Sequence, residues 1–527
     1  MAANQLDFDP NQLSQEGLNL LNAGDFKRSL EIFDKLNTHF PNNPDLLNLI
    51  AFANLQLENF DSALEAYSSS IKINPNQVGA IFNRAIVNEK LENLAQALND
   101  YDAALNLDPN NLDIYQNKSI ILEDLGKFKD ALKNINKVIE SSPNNFMALS
   151  NRGRILQALF EHEKAIIDFD CAIEMSPNNS FLYVNRGNFF KNIGKLNEAK
   201  KDYLKALKLD KNSDFANYNL AILLLHEKDF KNGWIHYESR FFKTKKPNFY
   251  NNIKELQSFD SKQKILIWAD HGIGDQVFCG SFLQSINSKF DVTVIIDSRL
   301  ISIFKRSFPH IKFIQSFDYQ NKENFTHQLS IISLGRFFRN KISEFKKLKN
   351  FFLTTCEERD LRISKKINNN GKLVCGLSWR SLNKKSGHKK SLKLENLLPI
   401  LKMENIHFVD IQYDDTTEEI KKFNQKYGTK IQTISGLDKF NDIESVLSLI
   451  KCCNFIISIG NATAHFAGSI AKKTFLILPH GMDAVWYWHN DDESLWYPSI
   501  EIYRQDKPND WANPVNNVAK RIKQMSV

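Results

Sequence analysis

Long apolar runs are missing from this 527-residue chain. No stretch approaches the ~20 residues that a membrane-spanning helix needs. The opening MAANQLDFDP has neither the basic segment nor the apolar core of a secretory signal. The expected location is therefore cytoplasmic. Cysteine is sparse: Cys171, Cys279, Cys356, Cys375, Cys452 and Cys453 show no C-x-x-C spacing and lie in unrelated segments. That argues for a reduced chain without a structural zinc. Excess charge is small as well, +7 overall, dispersed over Lys-rich runs such as KTKK (243–246) and NKKSGHKK (383–390). No stacking-aromatic or groove-reading module accompanies those charges, so nucleic acid is not an expected partner. What remains, 42% hydrophobic and 24% charged residues, is the composition of a soluble globular protein. Its length calls for about two or three domains.

The first half repeats. Proline recurs at 41, 75, 109, 143 and 177, each time followed by Asn, a spacing of 34. Small residues keep the same phase at Gly17, Ala51, Ala85, Ser119, Gly153, Gly187 and Ala221, and again at Ser29, Ala63, Ala97, Ala131, Ala165, Ala199 and Gly233. Aromatic positions Phe33, Tyr67, Tyr101, Phe169, Tyr203 and Tyr237 run beside the second series. This pattern closely resembles the tetratricopeptide repeat, a helix pair too small to bury its own apolar face. Stacked units complete the core and predict an all-α superhelix with a concave groove. Six units are expected from Pro10 to Ser213, and a degraded seventh runs from Asp214 into GWIHYESRF.

One polar column holds the phase: Asn83, Asn117, Asn151, Asn185 and Asn219. Side-chain amides both donate and accept, so such a ladder on a groove wall could clamp an extended peptide by its backbone. The alternative is that Asn is simply frequent at this position of such repeats and in this Asn-rich chain. Arg84, Lys118, Arg152 and Arg186 follow one residue later and read as a solvated basic stripe.

From Lys264 the pattern changes to short β-branched runs alternating with helical stretches. KILIWA, VTVIID, IKFIQ and LSII read as strands, followed by a helical basic connection, GRFFRNKISEFKKLK; then come LVCGLSW, HFVDIQ, KIQTI, NFIISI, TFLIL and IEIYR. Near-continuous apolar strands separated by helices imply parallel sheets covered on both faces. The expected organisation is a repeat array over 10–247, one α/β half over 248–365, and a second over 366–527 with a C-terminal helix. Ligands in open α/β sheets bind outside the carboxyl ends of the strands.

The first strand ends in WADHGIGDQVFCGSFLQSI. Asp275 falls at a helix start, where a carboxylate serves as an N-cap or complements the helix dipole. The turn lacks the third glycine of a dinucleotide fingerprint. A second seam, SIGNATAHFAGSIAKKTFLILP, joins an apolar strand to a helix through small residues.

Together these two stretches resemble the ADP-heptose:lipopolysaccharide heptosyltransferase family of GT-B glycosyltransferases. That family has a Gly-x-Gly-Asp turn and an Asp-Thr-Gly/Ala-x-x-His stretch. GWIHYESRF, GLSWRS, KKSLKLENLLPIL and WYPSIEIYRQDKPNDW, beside the repeats, resemble bacterial repeat-containing glycosyltransferase-like proteins. The chain departs from the second motif at Gly460 and Asn461, where the family has Asp then Thr.

The resemblance implies a GT-B fold of two Rossmann-like halves and an inverting, metal-independent sugar transfer from a nucleotide sugar. Asp275 would be the general base. Gly272, Gly274, Arg380, Lys390, Gln412, Asn461, Ala462, Thr463 and His465 would hold the donor. Arg504, Gln505, Trp496 and Trp511 belong to the same resemblance. Asp414-Asp415 and Asp491-Asp492 lack D-x-D spacing at a strand end and read as surface acids, so no metal or other cofactor is expected. The acceptor would be a protein or peptide presented by the repeat groove. The rival readings are a repeat scaffold whose transferase region has decayed, and transfer to a lipopolysaccharide or other glycan.

Overall fold

The structure is a computed structural model that describes residues 9–242, 246–247, 249–317, 324–347, 349–383, 387–481 and 485–525. Lys243 to Lys245 and Lys384 to Ser386 of the two basic runs lie outside the described residues. The chain divides into two compact units, Met1–Phe189 and Phe190–Val527.

Helix pairs fill the first unit: Pro10–Asn22 with Phe26–His39, Pro44–Gln56 with Phe60–Ile73, Val78–Lys90 with Leu94–Leu107, Leu112–Asp124 with Phe128–Ser141, and Phe146–Ala158 with His162–Met175. These are tetratricopeptide repeats. Side chains start the helices where the sequence allows it: Asn43 accepts from Asp45 N and Leu46 N, Asn111 from Ile114 N, and Asn145 from Ala148 N. The small residues mark helix crossings. A Cβ on Gly153 would stand 2.9 Å from the Phe169 ring.

A further 34-residue series governs the turns inside the pairs. Positions 24, 58, 92, 126, 160, 194 and 228 all have positive φ, yet only Gly24, Gly126 and Gly194 are glycine; Glu58, Glu92, Phe160 and Lys228 take φ of 60–65°. A left-handed residue after the helix C-terminus satisfies orphan carbonyls, here by Glu58 N donating to Leu55 O and Phe160 N to Gln157 O.

The second unit begins inside the helix Ser180–Asn192. Three further repeat helices, Leu196–Leu209, Asp214–His226 and Phe230–Tyr237, belong to it. The reason is burial. Ala221, Leu225, Phe230, Trp234 and Tyr237 share one core with Ile265, Ile267, Val277 and Phe282 of the α/β region, and Trp234 donates its Nε1–H to Arg339 O at 2.8 Å.

Two parallel sheets follow. The first contains β1 (Lys254–Glu255), β2 (Lys264–Trp268), β3 (Asp291–Ile295), β4 (Lys312–Ile314) and β5 (His327–Ser330), in the order β1-β5-β2-β3-β4. The second contains β6 (Leu373–Ser378), β7 (Ile406–Asp410), β8 (Ile431–Gln432), β9 (Phe455–Ile459), β10 (Thr474–Leu478) and β11 (Ile500–Arg504), in the order β11-β10-β9-β6-β7-β8. Counted within its own half, that second order is the doubly wound arrangement, with its switch point between β6 and β9. A C-terminal helix, Ala512–Met525, packs Val515, Val518 and Ile522 into the core of this sheet.

The basic connection expected to be helical is largely not. Only Gly335–Phe338 forms a helical turn, followed by a 3-10 segment over Ile342–Lys347. Arg339 is 1% exposed and donates to Ser281 O, Ser285 Oγ and Phe338 O, so the segment is drawn into the core instead of lying on it.

Candidate functional site

In the repeats, the Asn column is buried to different depths. Asn151 and Asn185 are buried, and Asn185 donates to Ser150 Oγ at 2.9 Å. Asn219 donates to Phe215 O and accepts from Lys191 Nζ. Asn83 and Asn117 are half-buried. The basic stripe is likewise not free in solvent. Arg84 takes Asp100 and Arg152 takes Asp168 in two-point pairs, Arg186 lies 2.7 Å from Asp170, and Lys118 pairs with Asp102. Each basic residue is neutralised by an acid 16 residues away, so the repeat period that spaced the charges also spaced their partners.

At the carboxyl end of β2, Asp270 is 1% exposed at its side chain and meets Arg240 Nε at 3.2 Å and His271 Nδ1 at 2.8 Å. Arg240 comes from GWIHYESRF and is itself buried, with further bonds to Ser333 Oγ and Tyr237 O. Burial raises the Asp270 pKa, and His271 and Arg240 more than cancel that, leaving it below the ordinary 3.8. Gln276 ties the turn by donating to His271 O and accepting from Asp297 N.

Asp275 follows on the helix Ile273–Leu283. Gly272 occupies the cap position, so the carboxylate is a first-turn group and not an N-cap. Burial raises its pKa above 3.8, against the charge of His271, a hydrogen bond from Tyr487 and the charge of Lys390. Lys390 comes from the short turn Gly387–Lys390 beyond β6, and burial lowers its pKa below 10.5 while Asp275 acts against that. The two groups thus sense each other's charge from opposite sheets.

Contact between the halves is direct. A Cβ on Gly274 would stand 3.1 Å from Ala462 Cα and 3.4 Å from His465 Cδ2. Gly274 and Ala462 therefore serve close approach of the helix Ile273–Leu283 to the helix Ala462–Ser469.

His465 is 3% exposed, with Nδ1 3.0 Å from Tyr497 Oη and Nε2 3.2 Å from Tyr487 Oη. Tyr487 Oη lies 3.2 Å from Asp275 Oδ1. Burial, with Lys390 adding to it, pushes the imidazole down to about 3, so it is neutral. An ionised Asp275 can only accept, so Tyr487 donates to it. Tyr487 then accepts from His465 Nε2–H, and His465 Nδ1 accepts from Tyr497 O–H. One tautomer satisfies every member, and the bonds all point toward the carboxylate. Phe278 stacks on Tyr487 at 4.5 Å and Trp488 on His465 at 5.2 Å, sealing the chain in an apolar wall.

Several of the other expected donor contacts also have structural partners. Arg380 places Nε 2.8 Å from Asp414 Oδ2 and a terminal nitrogen against Glu419, so its charge is already neutralised and Asp414 is no surface acid. Gln412 is fully buried; its Oε1 accepts from Ser378 Oγ, Trp379 N and Arg380 N, and its Nε2 donates to Arg380 O. Asn461 caps its helix through Thr463 N and donates to Ser378 Oγ and Arg380 O. Thr463 donates to Ser378 Oγ at 3.2 Å. These residues build the β6–β9 switch point, and the amide of Thr463 is taken by the cap. Likewise His465 is held by the two tyrosines. Gly272 is exposed on the turn before Asp275.

An open pocket of about 520 Å³ adjoins this loop, lined in part by Trp379, Ser381, Ser391, Lys393 and Glu419. Among the described residues no cluster of three or more His, Cys, Asp or Glu side chains could hold a metal ion, and no helix is long and apolar enough to cross a membrane.

Family models described as tetratricopeptide repeat match residues 14–78, 50–121, 112–145 and 182–213. Among curated proteins, Protein FlbA of Caulobacter vibrioides is 24% identical over 313 residues, which cover 55% of this chain and 52% of FlbA. The chain thus spans about half the length of that relative. Among solved structures, a tetratricopeptide repeat protein from Parabacteroides merdae matches at 17% identity and a TM-score of 0.42, covering 44% of this chain and 91% of its own. YrrB, described as a TPR protein with an unusual peptide-binding site, matches at 18% identity and a TM-score of 0.30, covering 36% and 96%.

Proposed function

We propose that this tetratricopeptide-repeat chain is a glycosyltransferase, with repeats that recruit a protein or peptide acceptor and an α/β region of GT-B type that takes a nucleotide sugar. The observation that carries the reading is the Asp275–Lys390 pair. A recessed carboxylate whose pKa burial has raised is better matched to proton abstraction near neutral pH than an exposed one. Asp275 would take the proton of the acceptor hydroxyl as its oxygen attacks the anomeric carbon from the face opposite the leaving group, inverting the centre. Lys390, whose charge acts on Asp275, would stabilise the negative charge that builds on the departing diphosphate. Tyr487 and His465 would act on Asp275 by position, keeping one oxygen occupied and leaving the other for the acceptor.

With Arg380 neutralised and Asn461 and Thr463 committed to the switch point, Lys390 carries most of the donor's charge recognition in this reading. The test is a panel of nucleotide sugars followed by thermal shift, with Lys390→Ala alongside wild type. One donor should stabilise the wild type saturably and lose at least tenfold in affinity in the variant. If no nucleotide or nucleotide sugar stabilises the wild type, the second reading takes over: a protein-binding repeat scaffold with a decayed transferase region. The already-paired guanidinium of Arg380 is the observation that favours that scaffold.

A further inference from the structure

Beside Asp275 stands a second acid–base pair that the transfer step leaves unused. Asp270 follows β2 with its side chain 1% exposed; Arg240 Nε lies 3.2 Å from its Oδ2 and His271 Nδ1 2.8 Å from its Oδ1. Burial pushes the Asp270 pKa up, but His271 and Arg240 hold it below 3.8, so the group is a carboxylate at neutral pH. An ionised carboxylate at 2.8 Å cannot face a ring lone pair, so Nδ1 carries the proton and Nε2 is the basic nitrogen. Nδ1 is buried while 21% of the side chain is exposed, so the open part of the ring is the part turned away from Asp270. Gln276 holds the backbone of His271 by donating to its carbonyl at 2.9 Å.

A base at Asp275 requires such a neighbour. Its Oδ1 is taken by Tyr487 at 3.2 Å, so Oδ2 is the oxygen left to receive a proton. That proton has no exit through the tyrosines, because Tyr487, His465 and Tyr497 all donate toward the carboxylate and Phe278 and Trp488 wall them off. Oδ2 instead faces the turn that carries His271: a Cβ on Gly272 would stand 4.0 Å from it, and glycine puts no side chain there. After burial, the charge of His271 is the strongest influence on Asp275, ahead of Tyr487 and Lys390.

We infer that His271, oriented by Asp270 and Arg240, is the proton outlet of Asp275. The inference rests on the transferase reading and completes its proton balance. As the acceptor oxygen bonds to the anomeric carbon, the sugar–diphosphate bond breaks with its electron pair and the acceptor O–H proton passes to Asp275 Oδ2. His271 Nε2 then takes that proton, restoring the carboxylate; the imidazolium, stabilised by Asp270, releases it to solvent and returns to the neutral ring. Asp270 and Arg240 are positioning residues, and His271 acts through Asp275.

The test lets water stand in for the acceptor. The full chain is incubated with UDP-, GDP- and ADP-hexoses in dilute buffer, and release of the nucleoside diphosphate is followed. His271→Ala should slow release at least tenfold with the donor KM unchanged, and free imidazole should restore the rate saturably in the variant while leaving wild type unaffected. Ring ¹⁵N shifts of His271 in the resting chain should place the proton on Nδ1. A His271→Ala protein as fast as wild type, a slow one that imidazole does not rescue, or a resting ring protonated on Nε2 alone overturns the outlet and leaves the transferase reading standing. A wild type that releases no nucleoside diphosphate from any of the three donors removes the transferase reading, and the outlet with it.

Discussion

Replacing Tyr487 by Phe removes one hydroxyl and breaks two bonds of the chain that ends on Asp275. The carboxylate loses its donor, and His465 Nε2–H loses its acceptor inside an apolar wall. A hydrogen bond to a charged group contributes about 1.5–3 kcal/mol, and a buried donor left unsatisfied costs about 1–3 kcal/mol, so the combined loss at neutral pH is about 2.5–6 kcal/mol. For a unit the size of Phe190–Val527 that lowers the melting transition by roughly 4–8 °C.

The two parts differ in pH dependence. Asp275 has a folded pKa raised above its unfolded value, so its burial costs nothing at pH below 3.8 and progressively more as pH rises through the folded pKa. Removing Tyr487 raises that pKa further, so the gap between variant and wild type should widen from acid toward neutral pH, leaving at the acid end only the His465 share. Differential scanning calorimetry across pH 4.5 to 8, paired with ¹⁵N chemical shifts of His465 to identify the Nε2–H tautomer, measures both. A gap that stays flat with pH, or a wild-type imidazole protonated on Nδ1, refutes the directed chain.

Three further outcomes follow from the same packing. Glu58→Gly, Glu92→Gly and Phe160→Gly should each stabilise the repeats by about 1 kcal/mol in chemical denaturation, because these residues bear the left-handed conformation that glycine adopts freely. Arg240→Met should cost about 3–5 kcal/mol at neutral pH, since it leaves the Asp270 carboxylate buried without its guanidinium partner. The Asp270 pKa is depressed in the wild type, so its stabilising contribution is present above 3.8 and lost as pH falls through the folded value; the variant's deficit should shrink on acidification when the calorimetry is carried below pH 3.8. Asn151→Ala together with Asn185→Ala should lower the repeat melting temperature, because both amides are buried and Asn185 holds Ser150.

The repeats were legible because a helix pair that stacks on copies of itself must present the same residue at the same crossing, and Gly17, Gly153 and Ala221 mark it by size alone. The strands were legible as apolar runs, although LSII yields only Leu329 and Ser330 to β5 before the chain turns into a 3-10 segment over Ile331–Leu334. The left-handed series could have been found, since Gly24, Gly126 and Gly194 share the 34-residue phase; Glu and Phe at the intervening positions obscured it.

Pairing was harder. Arg380 meets Asp414 and Glu419 34 and 39 residues away, and Gln412 closes on a loop of another strand, distances at which sequence periodicity carries no information. Asp275 stood out by its glycine turn. Tyr487 and Tyr497 did not, because a segment such as WYWHNDDESLWYP reads as packing, and their hydroxyls gain meaning only when a second helix brings His465 between them.

The central claim is that Asp275 acts as the base in transfer of a sugar to a protein acceptor. Intact-mass analysis of an acceptor captured on the repeats, incubated with the stabilising nucleotide sugar, tests it most directly. Wild type should add one sugar mass and release the nucleotide diphosphate, while Asp275→Asn, of equal size, should bind both partners and transfer at least 1,000-fold more slowly. Transfer at the wild-type rate by a folded Asp275→Asn protein would contradict the account.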